Sequence, residues 1–354
     1  MAYKRDEIIF LLGAGVSAEA KIPMSSEMIN KVEELLKTEW KQYEKLYYLV
    51  KSAIQYADGI QGRYDDNFNI ERLFNVINEL VKKEEHPLYP FIGSWNIRFN
   101  EIIVDNDRNG EKGYKKIEEF QKKILTELKE WIKLKDKRKA NYFKILEKFR
   151  KEYEPFRIFT LNYDLCIEEV FQSEQSFRIE RGFNNDRKWD YKRFSEYDES
   201  ETPDIFLYKL HGSIDWERDE KTKEVSYIDG IAKSPELIFG TAYKLQYVDP
   251  FLFLFSEFRH YSLRAKLIII IGYGFGDEHI NGIVAQALKQ DDTRKILLIS
   301  KSKDEKTVAK KLNLENTNQI IIEKFNAKEY LEKKLAVNEL YKYFPEKEDD
   351  EFWK

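Results

Sequence analysis

Four short stretches of the chain carry residue types able to do chemistry, and each follows an apolar run. The first, Gly13-Ala14-Gly15-Val16-Ser17-Ala18, comes directly after Glu7-Ile8-Ile9-Phe10-Leu11-Leu12 and ahead of a helical pattern. This G-x-G-x-x-A pattern in a strand–turn–helix setting fits a dinucleotide-binding turn. Gly13 permits the bend, Gly15 lets the backbone approach a diphosphate, and Ala18 lies where helix and strand pack closely. A helix N-terminus there would add N–H groups and a positive dipole end for the phosphates. Alone the turn is weak evidence, because tight glycine turns also have purely structural uses. The second stretch, Thr160-Leu161-Asn162-Tyr163-Asp164, ends a strand-like run; Asp164 is read as the cap of the next helix and Asn162 as the residue that reaches a ligand. The third, Tyr208-Lys209-Leu210-His211-Gly212-Ser213-Ile214-Asp215-Trp216, puts an imidazole at a strand end. A lone strand-end histidine is more often structural, but the adjacent Gly212 exposes backbone and tilts His211 toward a general base. The fourth, Gly272-Tyr273-Gly274-Phe275-Gly276-Asp277, supplies a second backbone-lined wall in which Gly272 and Gly274 are the candidate contacts; Asp277 is read as a helix cap and His279 as a surface or capping residue.

The elements that must position these groups follow from hydropathy periods. The continuous apolar runs Ile8–Leu12 and Lys266–Ile271 read as parallel strands buried on both faces. Further strands are expected at Phe156–Leu161, Arg178–Glu180, Ile205–Leu210, Val225–Ile228, Leu237–Phe239, Lys295–Ser300 and Gln319–Glu323, with helices at Pro250–Ala265, after Asp277, and at Asp304–Leu312. Such alternation indicates an α/β fold: a Rossmann-like, mostly parallel sheet with helices on both faces. Met28, Ile29, Val32, Leu35 and Leu36 recur at helical spacing, and from Trp40 to Arg150 helical patterns dominate, at Tyr43–Tyr56, Ile70–Lys83, Tyr114–Leu134 and Tyr142–Glu152. A loop is expected at Asp105–Gly110 and a strand at Glu101–Val104. The resulting organisation is a discontinuous catalytic domain, 1–38 and 153–335, a large helical insertion or cap after the first βα unit, 39–152, and a C-terminal helix with an acidic aromatic tail, 336–354. Ser300 ends its strand where a Rossmann-type sheet meets an adenosine ribose, with Lys301 or Lys303 nearby, although the acidic ribose ligand of that fold is not evident.

Composition narrows the chemistry. With 354 residues, 42% hydrophobic and 15% aromatic, the chain has the material for sizeable cores, which excludes disorder throughout. Lys and Arg number 60 against 64 Asp and Glu, a net charge of −4, which disfavours a nucleic-acid-coating role. The single cysteine, Cys166, rules out an intramolecular disulfide framework and a four-cysteine zinc site, and four histidines leave little for a histidine-rich metal site; no metal is expected. No apolar run reaches signal-peptide or membrane-spanning length, so a soluble cytoplasmic protein is expected.

Taken in order, GAGVSAEAKIP, TLNYD, KLHGSIDW and GYGFGDE resemble the sirtuin-like family, and look most like its bacterial anti-phage branch of NAD-consuming effectors. The resemblance implies that Gly13, Ala14, Gly15 and Ser17 hold the NAD diphosphate. It implies that Asn162, with Asp164 in the same motif, positions the ribose or the attacking water, and that His211 acts as base. The departures bear on the reaction. One cysteine cannot build the zinc module of the family's protein deacylases; Lys21-Ile22-Pro23-Met24-Ser25-Ser26 lacks the family's phenylalanine and arginine; and Gly272-Tyr273-Gly274 replaces the usual glycine-threonine-serine. These fit hydrolysis of NAD+ as substrate better than deacylation. The segment Asn67–Asn75 is similar to an N-I-E segment of the anti-phage branch, which would bring Asn69 or Glu71 toward the nicotinamide ribose. Ordinary packing of Ile70, Leu73, Phe74 and Ile77 behind an Asn69 cap explains it better. By the same resemblance the expected role is an NAD-depleting effector in anti-phage defence, homo-oligomeric and controlled by assembly with a HerA/FtsK-type hexameric ATPase. Alternatives are an NAD- or ADP-ribose-binding module without turnover, a nucleic-acid scaffold and, last, a deacylase.

Overall fold

Strand β1 (Ile8–Leu12) is buried at every residue and sits at the centre of a seven-stranded sheet. A strand with no polar face must be covered on both sides, and parallel pairing with helical crossovers provides that cover. The computed structural model describes residues 6–62, 68–82, 102, 105–106, 112–113, 115–153, 156–172, 177–195, 202–238 and 248–344. Two compact units emerge. One comprises Met1–Ile22, Leu134–Leu237 and Leu245–Lys354; the other comprises Pro23–Lys133 and Ile238–Lys244.

The first unit holds the sheet. Its strands are β1, β4 (Phe156–Thr160), β5 (Ile179–Glu180), β6 (Ile205–Lys209), β10 (Leu267–Ile271), β11 (Lys295–Ile299) and β12 (Ile320–Glu323), in the spatial order β12-β11-β10-β1-β4-β6-β5. All pairings are parallel, and the same unit carries helices α5 (Ile145–Arg150), α6 (Cys166–Phe171), α7 (Phe251–Arg264) and α8 (Glu278–Gln290). β4, β6 and β10 are, like β1, buried throughout. The α/β class and parallel sheet expected from the apolar runs are what the chain forms.

One strand escapes the hydropathy reading. β7 (Gly212–Arg218) pairs antiparallel with β8 (Val225–Tyr227) and β9 (Pro235–Leu237) in a separate three-stranded sheet. Ser213 and Asp215 are buried although polar, so β7 shows neither an apolar run nor a clean alternation. The Val225 and Leu237 segments therefore belong to this sheet rather than to the parallel alternation. The short connection from β7 to β8 suits a hairpin, whereas a parallel pair needs a crossover of about a dozen residues or more. Phe183 and Trp189 pack against Trp216, with ring centroids 5.3 and 6.2 Å away.

The second unit is helical: α1 (Ser25–Lys37), α2 (Glu44–Ile60), α3 (Ile70–Val81) and α4 (Lys115–Trp131). Each buries one stripe at helical spacing, for example Met28, Ile29, Val32 and Leu36 in α1 and Ile117, Phe120, Ile124 and Leu128 in α4. Tyr43 stacks on Phe120 at 5.0 Å. Strands β2 (Asp105–Asn106) and β3 (Lys112–Gly113) pair antiparallel, so the expected loop begins with two paired residues. Residues 107–110 lie outside the described residues, as does the Glu101–Val104 strand apart from the helical Ile102. The acidic aromatic tail from residue 345 onward also lies outside them.

Candidate functional site

Register brings the four chemistry-bearing stretches to one edge of the sheet. Leu12 is paired with both Ile271 and Thr160, and Thr160 with Lys209. Gly13, Gly272, Asn162 and His211 therefore leave the carboxyl ends of β1, β10, β4 and β6 on the same side. Strand order reverses about β1, from β4 on one flank to β10 on the other. In open parallel sheets that is where ligands bind, in the crevice outside the strand ends.

The glycine elbow is built differently from the expected strand–turn–helix. The Gly13 amide donates to the Ile271 carbonyl and the Gly15 amide to the Gly272 carbonyl, both at 2.9 Å. The chain then makes two 3-10 turns, Ala14–Val16 and Ala18–Ala20, and Lys21 adopts a left-handed φ of 68°. No α-helix N-terminus stands at the elbow; the next α-helix begins at Ser25. The amides expected to face a diphosphate at Gly13 and Gly15 are taken by the neighbouring turn. The glycines are needed for backbone approach: a Cβ at Gly15 would lie 2.8 Å from Gly272 Cα, and one at Gly272 would lie 2.2 Å from the Val16 nitrogen. Ala14 is the exposed residue of the turn.

Ser17 and Asn162, 145 residues apart in the chain, meet: Asn162 Nδ2 donates to Ser17 Oγ at 3.1 Å, both residues buried. The Asn162 amide donates to Thr160 Oγ1 at 3.1 Å, which fixes its backbone at the strand end. Asp164 acts one residue earlier than a formal cap. Its Oδ1 accepts the Cys166 amide at 3.0 Å, while Leu165 is the N-cap residue of α6 (Cys166–Phe171). Burial pushes the Cys166 thiol far above its ordinary range, and the Asp164 carboxylate adds to the effect.

Ser17, Thr160, Asn162, Asp164, Glu168 and Lys209 line one small cavity behind the strand ends. Lys209 was not singled out from the sequence, yet its side chain is fully buried and donates to Glu168 Oε1 at 3.0 Å and to the Asp164 carbonyl. Beside it, Arg181 pairs with Asp215 at 2.8 Å. Burial acts to lower the Arg181 guanidinium, but Asp215 and Glu168 hold it above its ordinary value. The one sequence signal for this cluster was a lysine closing the apolar run Ile205–Tyr208.

His211 occupies the turn between β6 and β7 and is 3% exposed. Its Nε2 lies 3.0 Å from Asp277 Oδ2. Gly212 has φ 84°, and a Cβ there would sit 2.1 Å from the Glu236 carbonyl, so this turn requires glycine. Asp277 is, as expected, the N-cap of α8 (Glu278–Gln290), its Oδ1 accepting the His279 and Ile280 amides at 2.9 and 3.2 Å. His279 is exposed. Gly274 faces open space.

Ser300 leaves β11 on the same side as Gly272, since Ile299 is paired with Ile271. Ser300 Oγ accepts the Lys303 amide at 3.2 Å, and Lys301 pairs with Glu329 at 2.8 Å. Asn69 and Glu71 belong to the helical unit, where Asn69 Oδ1 accepts the Arg72 amide at 3.0 Å and caps α3. Among the described residues, no group of three or more His, Cys, Asp or Glu side chains is placed to hold a metal, and no helix is long and apolar enough to cross a membrane.

Fold and site define an open parallel α/β domain with polar residues gathered at the carboxyl edge of its strands, about the switch point. Residues 157–322 match the family model described as the SIR2-like domain; β1 and its glycine elbow precede that span. Similar solved structures include a Sir2 homologue–NAD complex, at 12% identity over 92% of this chain and 86% of that one, with a TM-score of 0.40. A mutant Sir2 homologue bound to ADP-ribose is similar at 15% identity over 92% and 88%, TM-score 0.42. Sir2Tm bound to a propionylated peptide is similar at 10% identity over 92% and 90%, TM-score 0.38. No curated protein matches the chain.

Proposed function

We propose that the crevice binds NAD+ and that the chain hydrolyses its nicotinamide–ribose bond, giving nicotinamide and ADP-ribose. One observation carries the reading. Among the described residues, Asn162 Oδ1 and His211 Nδ1 have no hydrogen-bond partner, although both side chains are buried and their other polar atoms are held. Acceptors fixed in this way at a crevice suit a ribose hydroxyl or a water. In the reaction, a water oxygen bonds to ribose C1, the nicotinamide–ribose bond breaks with its electron pair passing to the nicotinamide nitrogen, and the water proton passes to His211. The leaving group departs neutral and needs no acid. Asn162 holds the water or a ribose hydroxyl, and binding of the rest of the dinucleotide supplies energy to strain the reacting bond. Exposed Ala14 and open Gly274 leave room for the diphosphate where Gly13 and Gly15 do not offer their amides.

Purified chain incubated with NAD+, alone and with the product of its genomic neighbour, is expected to release nicotinamide, and His211→Ala to lower that release by about 10²–10⁴-fold. NAD+ bound but recovered intact under both conditions would leave a binding module instead. The reading extends to an NAD-depleting effector of anti-phage defence. Such an enzyme must stay silent until triggered, and assembly as a homo-oligomer with a HerA/FtsK-type ATPase provides the control.

A further inference from the structure

His211 and Asp277 have no local reason to meet. Their strands, β6 and β10, are separated in the sheet by β4 and β1. The loop after β10 is nevertheless shaped to bring the carboxylate to the ring. Phe275 holds φ at 60°, a region that bulky residues rarely enter. That conformation is pinned from several sides. Asn281 Nδ2 donates to the Phe275 carbonyl at 3.1 Å, the Tyr273 hydroxyl lies 2.8 Å from Asn281 Oδ1, and the Asp277 amide donates to that hydroxyl at 3.2 Å. Asp277, 2% exposed, then divides its two oxygens: Oδ1 caps α8 and Oδ2 meets His211 Nε2. The ring is flanked by Tyr163 and Phe255, each with its centroid 6.3 Å away.

We infer that Asp277 is a positioning residue for His211, holding the neutral imidazole as the Nε2–H tautomer so that Nδ1 faces the crevice as the proton acceptor. In a neutral ring only the Nε2–H tautomer can donate to that carboxylate, and it leaves the Nδ1 lone pair available, as a general base requires. The role rests on the NAD-hydrolysis reading, but the tautomer itself does not. A cap alone needs one acceptor oxygen, which asparagine supplies equally well. Asp277→Asn therefore keeps the helix cap while replacing Oδ2 with an N–H donor. Nε2 must then accept, the proton moves to Nδ1, and the base is lost.

Two measurements on the full chain test this. With ¹⁵N-histidine labelling, His211 in the parent should show Nε2 protonated and Nδ1 bare, and the pattern should invert in Asp277→Asn. Nicotinamide release by Asp277→Asn should fall about 10²–10⁴-fold in kcat with little change in KM, at an unchanged melting temperature. Adding it to His211→Ala should cost nothing further, because the two residues act as a unit. A parent ring protonated on Nδ1, or an Asp277→Asn enzyme with parental kcat, overturns the inference. A parent chain that releases no nicotinamide defeats the hydrolase reading instead, and the parent tautomer alone then decides the His211–Asp277 couple.

Discussion

The Gly15 amide is hydrogen-bonded to the Gly272 carbonyl at 2.9 Å, which joins the turns after β1 and β10 into one backbone-packed unit. The two glycine stretches are thus not independent pocket walls. Each is the surface against which the other is folded, and the strand ends they cap are neighbours at the switch point.

Gly272→Ala tests that packing. The substitution forces a side chain into φ 69° and a Cβ to within 2.2 Å of the Val16 nitrogen. The left-handed conformation alone costs roughly 1–2 kcal/mol, and the clash adds to it. Gly274→Ala meets nothing within 4 Å and should stay within about 0.5 kcal/mol of the parent. Urea titration of both variants checks the contrast; equal midpoints would refute it.

The sheet was legible because β1, β4, β6 and β10 are buried on both faces and so carry uninterrupted apolar runs. The placement of Asn162 and His211 at the carboxyl ends of β4 and β6 was legible because they stand where such runs stop. What escaped was polar and buried. Ser213 and Asp215 disguise β7 as a loop, and Lys209 looks like the edge of a strand when it is the centre of a neutralised charge cluster. The Gly13 and Gly15 amides also resisted reading, since the same spacing serves a bound phosphate or a second strand's carbonyls, and only β10, some 260 residues downstream, decides between them. The His211–Asp277 couple depends on a loop conformation that residue types do not disclose.

Ser17 and Asn162 should differ in weight although they are hydrogen-bonded. Asn162→Ala removes the group proposed to hold the water or ribose and should lower nicotinamide release about 10²–10³-fold. Ser17→Ala removes the acceptor that orients Asn162 but leaves the Asn162 side chain itself in place. A net hydrogen bond of about 0.5–1.5 kcal/mol corresponds to a loss of roughly 2- to 10-fold. Comparable losses in the two variants would place Ser17 in direct contact with substrate.

Lys209→Ala should destabilise the fold by roughly 1–3 kcal/mol, because the buried Asp164 carbonyl loses its donor and half-buried Glu168 keeps only Arg181, 3.5 Å away. Lys209→Met with Glu168→Gln, which removes the charges together, should recover most of that loss. Guanidinium unfolding of the single and double variants reads the difference. A double variant no better than the single would mean that Lys209 acts by packing rather than by charge.

Glu180 gives the chain a stability term that weakens as pH rises. Burial raises its carboxyl above the ordinary value of 4.5, and the opposing donations from the Gly182 amide and Arg193 do not offset it. Between the unfolded and the raised folded pKa, the native chain binds more protons than the unfolded chain, so stability falls as pH rises through that window. Glu180→Gln removes the ionisation while keeping an acceptor for Gly182. Relative to the variant, the parent should lose stability as pH climbs upward from about 4.5 and then level off, as read from urea midpoints at each pH. Arg193 is the counterweight, since it pairs with Glu180 Oε2 at 3.0 Å, but it is 45% exposed and solvent screens its attraction. A parent that gains on the variant over the same range would show that this half-exposed guanidinium, and not burial, governs the carboxylate.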